Sequence, residues 1–184
     1  MINKSILTTL LALSIAFGGC SKDKTEEANS MISANEYILT ALNNAQYIVK
    51  KESNGFILEN AKGKVVIFDI FATWCPPCRA SASHLSSLQE KYKDDLIIIG
   101  ITIEDNIPNS KLQDFREKYT ANYTLVNSDQ NRRLSDEIVK ELGLGERYPI
   151  PTMAMYKDGK LINHYVGVVQ EEFIESDIKK ALGK

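Results

Sequence analysis

Cys75-Pro76-Pro77-Cys78 sets two thiols three residues apart. On a helix, residues at that spacing have Cα atoms about 5–6 Å apart, inside the window a disulfide tolerates, so the pair can open and close with little backbone movement. If Cys75 stands at the helix start, unpaired N–H groups and the positive end of the helix dipole favour its thiolate and suit it to attack a disulfide. Cys78, one turn further in, is then shielded and suits the resolving thiol. The prolines tune the pair. Pro77 has no N–H, which leaves a Cys75 thiolate mainly the N–H of Cys78. A less stabilised thiolate places the reduction potential toward the reducing side. Two blander readings stand beside this one. Half a zinc site would need further ligands from Cys20, His84, His164 or carboxylates, and none of these forms a second close-spaced pair. A structural staple would close a loop too short to remove much unfolded-chain entropy.

The segments around the motif must place it at a strand-to-helix junction. Lys64 to Phe71 is apolar on both alternating faces except at Asp69, the pattern of a central strand covered on both sides. A helix is predicted from Pro76 to about Tyr92, with prolines in its first turn where missing N–H groups cost nothing. Leu96 to Ile103 reads as a second buried strand and Tyr123 to Val126 as a short one, with helices over Lys111–Tyr119 and Arg132–Leu142. Met153–Tyr156 and Leu161–Val166 flank Asp158-Gly159, a hairpin turn, and Glu171–Leu182 carries a helical apolar stripe. Short leading strands are predicted around Ile38, Tyr47 to Val49 and Phe56 to Leu58, with turns at Asn43-Asn44 and Asn54-Gly55. The whole predicts an α/β fold, a central mixed sheet with helices on both faces and extra N-terminal strands.

The chain has 184 residues, 43% hydrophobic and 25% charged, with 22 Lys+Arg against 24 Asp+Glu. This is the composition of one globular domain and lacks the basic footprint of a nucleic-acid binder. Its start is different. Lys4 precedes an almost uncharged run from Ile6 to Phe17, followed by Gly18-Gly19-Cys20. Such a run is a secretory signal, too short to stay in a bilayer as a helix. Small residues before Cys20 resemble the bacterial lipoprotein processing site, which implies cleavage before Cys20 and lipid on it; Phe17 departs from the Leu more usual there. The alternative is an ordinary cleaved signal with Cys20 incidental. Ser21 to Ser30 has the composition of a solvated tether. The expected organisation is residues 1–19 as signal peptide, 20–36 as lipidated cysteine and tether, and 37–184 as the folded domain.

Phe68 to Arg79, containing Trp74 and the two cysteines, and later Ile150-Pro151-Thr152, resemble the thioredoxin-like family. The lipoprotein-type start and the long stretch from Glu104 to Leu144 resemble its extracytoplasmic TlpA/ResA-type branch. The resemblance implies Cys75 as nucleophile, Cys78 as resolving thiol and Pro151 as the family's cis-proline beside the disulfide. A cis bond there exposes the Ile150 backbone to a substrate strand; the alternative is a trans turn proline. Asp69, six residues before Cys75, matches a buried acid of thioredoxins. Many TlpA-like proteins lack it. In an apolar strand its pKa rises, so that it can take the proton of Cys78 through water; otherwise it is a strand-end acid paired with a base. Trp74 and Gly167 match the substrate groove, against simple packing and a plain strand bend. Ser83 replaces a kinking proline and Ser81 an acid common among TlpA-like reductases, so a straighter helix is expected and a mechanism through that acid is in doubt.

The expected activity is reduction of disulfides in exported proteins at the cell envelope, with cytochrome c precursors as the first substrate class the resemblance suggests. The redox-active pair is its own cofactor and no metal is expected. Partners implied are disulfide-containing exported proteins, a membrane thiol-electron carrier and the membrane through the lipid anchor, with the domain a monomer. Alternatives are a disulfide oxidase or isomerase, or a copper-binding chaperone on the same fold that would use His164.

Overall fold

The computed structural model describes residues 34–184. The signal peptide, Cys20 and nearly all of the tether lie outside the described residues. Strand β1 (Glu36–Thr40) begins one residue before the expected domain start and pairs antiparallel with β2 (Gln46–Glu52), which pairs antiparallel with β3 (Gly55–Leu58). A second sheet follows, built from β4 (Val65–Phe71), β5 (Leu96–Thr102), β6 (Thr124–Val126), β7 (Thr152–Lys157) and β8 (Lys160–Val166). Its order is β6-β5-β4-β7-β8, with β4, β5 and β6 parallel and β7 and β8 antiparallel, so the motif-bearing strand is central. The connecting helices are α1 (Pro76–Lys91), α2 (Asn109–Tyr119), α3 (Asn131–Glu141) and α4 (Glu171–Leu182).

Alternation along β4 divides the interior in two. Val65, Ile67 and Phe71 join Leu85 and Leu88 of α1, Leu112 and Phe115 of α2, and Ile174 and Ile178 of α4 in one core. Val66, Phe68 and Ile70 join Leu134 and Ile138 of α3 and Tyr37, Leu39, Val49 and Phe56 of the leading strands in the other. The period of two therefore turns Asp69 toward the first core. Every residue of β4 is buried, as its nearly unbroken apolar run requires.

Cys78, Ala82, Leu85 and Leu88 recur at helical spacing and form the buried stripe of α1. Burying each leucine contributes roughly 2 kcal/mol. With Ser83 exposed on it, the helix runs from Pro76 to Lys91 without interruption. The hairpin between β7 and β8 turns through Asp158 (φ 48°) and Gly159 (φ 80°), the two left-handed residues that match the twist of the strands. At the other edge, the chain after β1 lies along β6: Leu42 N–H donates to the Leu125 carbonyl, Asn127 N–H to the Thr40 carbonyl, and Ala41 bridges Val126.

Candidate active site

The end of β4 and the start of α1 build the site. Cys75 is the N-cap of α1, in extended conformation (φ −77°, ψ 113°), with Pro76 and Pro77 in the first two helical positions. Cys75 and Cys78 form a disulfide with Cα atoms 5.3 Å apart, and both are buried. Neither proline has an N–H to offer, and the N–H of Cys78 donates to Cys75 Sγ at 3.2 Å. Cys75 Sγ also lies 3.6 Å from the carbonyl oxygen of Ile150, and the Ile150–Pro151 peptide is cis. Behind Pro151, its carbonyl accepts the Gly167 N–H at 2.8 Å. Gly167 has φ 79°, and a Cβ there would meet nothing within 4 Å. Glycine therefore serves the turn itself, in a place with open space above it.

Two side chains fix the loop before Cys75. Glu104, just beyond β5, accepts from the Thr73 N–H at 2.5 Å and from the Thr73 hydroxyl at 3.1 Å, with the Thr102 hydroxyl at 3.3 Å as a further donor. Arg79, one turn into α1, donates from Nε to the Thr73 carbonyl at 2.8 Å, and its guanidinium lies over the Tyr119 ring of α2 at 5.3 Å. The backbone polar groups of Thr73 are thus both engaged, two residues before Cys75. Trp74, between them, is 59% exposed, so its indole is available to a partner rather than held in a core.

Asp69 is 3% exposed. The Tyr123 hydroxyl donates to its Oδ2 at 3.0 Å, while Oδ1 is buried with no partner. Burial raises the carboxyl's pKa to about 7 against the opposing pull of the tyrosine hydrogen bond. A carboxyl in that range can hold or release a proton at neutral pH. The Tyr123 hydroxyl is pushed well above its ordinary range, first by burial and then by the Asp69 charge, and so remains a donor.

The structure brings Cys75, Cys78, Ile150 and Pro151 together, keeps Asp69 buried on the cysteine side of β4, and leaves Trp74 at the surface. The Ser81 hydroxyl donates to the Pro77 carbonyl at 3.2 Å. His84 and His164 are both exposed. Among the described residues no three His, Cys, Asp or Glu side chains gather as a metal site requires. Sequence reasoning missed Glu104 as the acceptor for Thr73, and it read Tyr123 only as part of a strand.

Residues 39–182 match the Redoxin family. The thiol-disulfide oxidoreductase ResA of Bacillus anthracis is 28% identical over 124 residues, which cover 67% of this chain and 66% of that protein. The chain thus matches just under two thirds of the length of this curated relative. Among solved structures, a thiol:disulfide interchange protein of the thioredoxin family from Chlorobium tepidum superposes with a TM-score of 0.63 at 20% identity, over 82% of this chain and 95% of that one. The exposed lipoprotein thioredoxin of Streptococcus pneumoniae superposes with a TM-score of 0.55 at 20% identity, over 79% of this chain and 98% of the other. These likenesses give the fold as thioredoxin-like, and the family match spans most of the sequence. The chain has a thioredoxin-like fold and belongs to the Redoxin family.

Proposed function

We propose that this chain is a thiol:disulfide oxidoreductase of the cell envelope that works in the reducing direction on exported proteins, cytochrome c precursors among them. The observation that carries the reading is the Cys75–Cys78 disulfide at the start of α1, with Cys75 Sγ against the Ile150 carbonyl. In the dithiol form, the Cys75 thiolate attacks a substrate disulfide, making a mixed disulfide and releasing one substrate thiolate. Asp69 takes the proton of Cys78, whose sulfur then attacks Cys75 Sγ. The bond from Cys75 to substrate breaks with its electron pair on the substrate sulfur, the Cys75–Cys78 bond forms, and two electrons have passed to the substrate. Trp74, Ile150, Pro151 and Gly167 form the surface on which the substrate backbone lies. A membrane thiol carrier returns the electrons.

The direction is argued from Cys75: with prolines in the two positions after it, the Cys78 N–H is the donor left for its sulfur, a weak stabilisation of the thiolate. The envelope location and the lipid on Cys20 are argued from the uncharged run and the Gly18-Gly19-Cys20 sequence, with the pneumococcal lipoprotein as a relative in fold. The deciding experiment is the reduction potential of the Cys75–Cys78 pair in redox buffers. A value near about −270 mV supports a reductase, and one near about −120 mV overturns that direction in favour of an oxidase. Cys78→Ser should accumulate a mixed disulfide on Cys75 with a disulfide-bonded polypeptide.

A further inference from the structure

We propose that Tyr123 is the positioning residue for Asp69: its hydroxyl holds one carboxylate oxygen and leaves the other unpartnered to receive the Cys78 proton. The inference rests on the reading of Asp69 as proton acceptor during resolution.

Tyr123 sits just before β6, two strands away from Asp69. In the register of the sheet, Asp69 of β4 lies beside Gly100 of β5, and Gly100 beside Leu125 of β6. To reach β4 the tyrosine ring has to cross β5, and Gly100 provides the crossing. A Cβ on Gly100 would stand 2.8 Å from Leu125 Cδ2, 2.9 Å from Tyr123 Cε2 and 3.3 Å from Phe71 Cε1. The ring therefore occupies the space that any other residue at position 100 would fill. Tyr123 is 4% exposed and its hydroxyl ends on Asp69 Oδ2 at 3.0 Å.

The rest of the neighbourhood leaves this contact in control. The same face of β4 carries Ile67 and Phe71, β7 sets Met153 beside Asp69, and the Cys75–Cys78 pair of α1 and Phe115 of α2 share this core. Arg116 of α2 approaches the Tyr123 carbonyl at 3.4 Å and makes no bond to its hydroxyl. Among the described residues, in the disulfide form, Tyr123 is the titratable group that acts on the carboxyl, against burial. With Oδ2 accepting from Tyr123, a proton arriving at the carboxylate finds an unpartnered acceptor at Oδ1. In resolution the Cys78 S–H bond gives its proton to that oxygen as the sulfur attacks Cys75 Sγ, and the electron pair of the broken mixed disulfide leaves on the substrate sulfur.

The test uses Tyr123→Phe, which keeps the ring and removes the donor. The reduced protein, in excess over Ellman's reagent, releases one coloured thiolate when Cys75 attacks and a second when Cys78 resolves, so stopped-flow traces from pH 5 to 9.5 isolate the second step. Loss of a hydrogen bond to the charged carboxylate should move the midpoint of that step up by about one pH unit and slow it at pH 7 by about five-fold. Carbon-13 NMR titration of the Asp69 carboxyl in the disulfide form should show the same upward movement. Gly100→Ala, which crowds the ring, should shift both midpoints the same way. Asp69→Asn should abolish the break, and adding Tyr123→Phe to it should change nothing more. If Tyr123→Phe leaves both midpoints in place, or slows the Asp69→Asn protein as much as the parent, the positioning role is wrong while the proton acceptor stands. If Asp69→Asn keeps the parent's pH profile, the proton-acceptor reading itself fails, and this proposal with it.

Discussion

Each face of the central sheet holds a tyrosine bonded to a carboxylate, and the two pairs behave differently. On the face of α3 and the leading strands, Tyr156 is packed edge-on between Phe56 and Phe68, and its hydroxyl donates to Glu141 at 3.2 Å. Glu141 ends α3, is half-buried and lies in the field of Lys51, so the rise in its pKa from burial is countered from two directions. On the face of α1, Asp69 is enclosed, and among the described residues Tyr123 is its one hydrogen-bond partner and no cation acts on it. The same donor–acceptor chemistry anchors an aromatic cluster in one place and in the other leaves a carboxyl poised near neutrality. What separates them is access to water and countercharge rather than the hydrogen bond.

The largest effect that would break this comparison comes from Asp69→Asn. The carboxyl is raised from 3.8 to about 7 in the folded protein. Below about pH 3 it is protonated folded or unfolded; as pH rises from the unfolded value through the folded one, the unfolded chain has released its proton while the folded chain still holds it, and stability is lost. Removing the group should therefore stabilise the oxidised protein by about 4 kcal/mol at pH 8 and by almost nothing at pH 3, read from denaturant unfolding at the two pH values. Equal gains at both would mean that Asp69 is not the titrating group.

Glu104→Ala should come next. It strips the acceptor from the Thr73 N–H and hydroxyl, at a cost of about 1–2 kcal/mol, with slower attack by Cys75 in the first stopped-flow phase because the loop before it loosens. Tyr156→Phe should cost about 1 kcal/mol at pH 8, a loss where Asp69→Asn gains. Glu141→Gln, which still accepts from Tyr156, should change unfolding by less than about 0.5 kcal/mol. A stabilisation at pH 8 as large as that from Asp69→Asn in either of these last two would erase the distinction between the faces.

Much of the fold was legible because its signals are local. The continuous apolar run of β4 names a central strand, the two prolines after Cys75 mark a helix start, and Asp158-Gly159 marks a hairpin. Of the site, the cysteines, Asp69 and Ile150-Pro151 stand in short recognisable strings. Glu104 and Tyr123 do not. Thr73 and Glu104 are 31 residues apart, and Asp69 and Tyr123 are 54 apart, so each contact exists only once the strand order brings the partners together. Even so, a tyrosine inside an apolar strand needs a partner for its hydroxyl, and a buried acid elsewhere in the sheet is the natural one. Gly100 in the middle of an otherwise bulky β5 was the remaining clue, since a glycine inside a strand marks a close approach by something else.

The seam between the leading strands and β6 bears on how such domains coexist at high local density. An uncapped sheet edge offers a ladder of unpaired amides on which a neighbouring molecule can template itself. β6 is only three residues long, and the backbone groups of Leu125 and Asn127 that would face outward are already bonded to Leu42 and Thr40. The segment after β1 thus occupies the outward backbone groups of this short strand, which leaves fewer of them for a neighbouring molecule to template on.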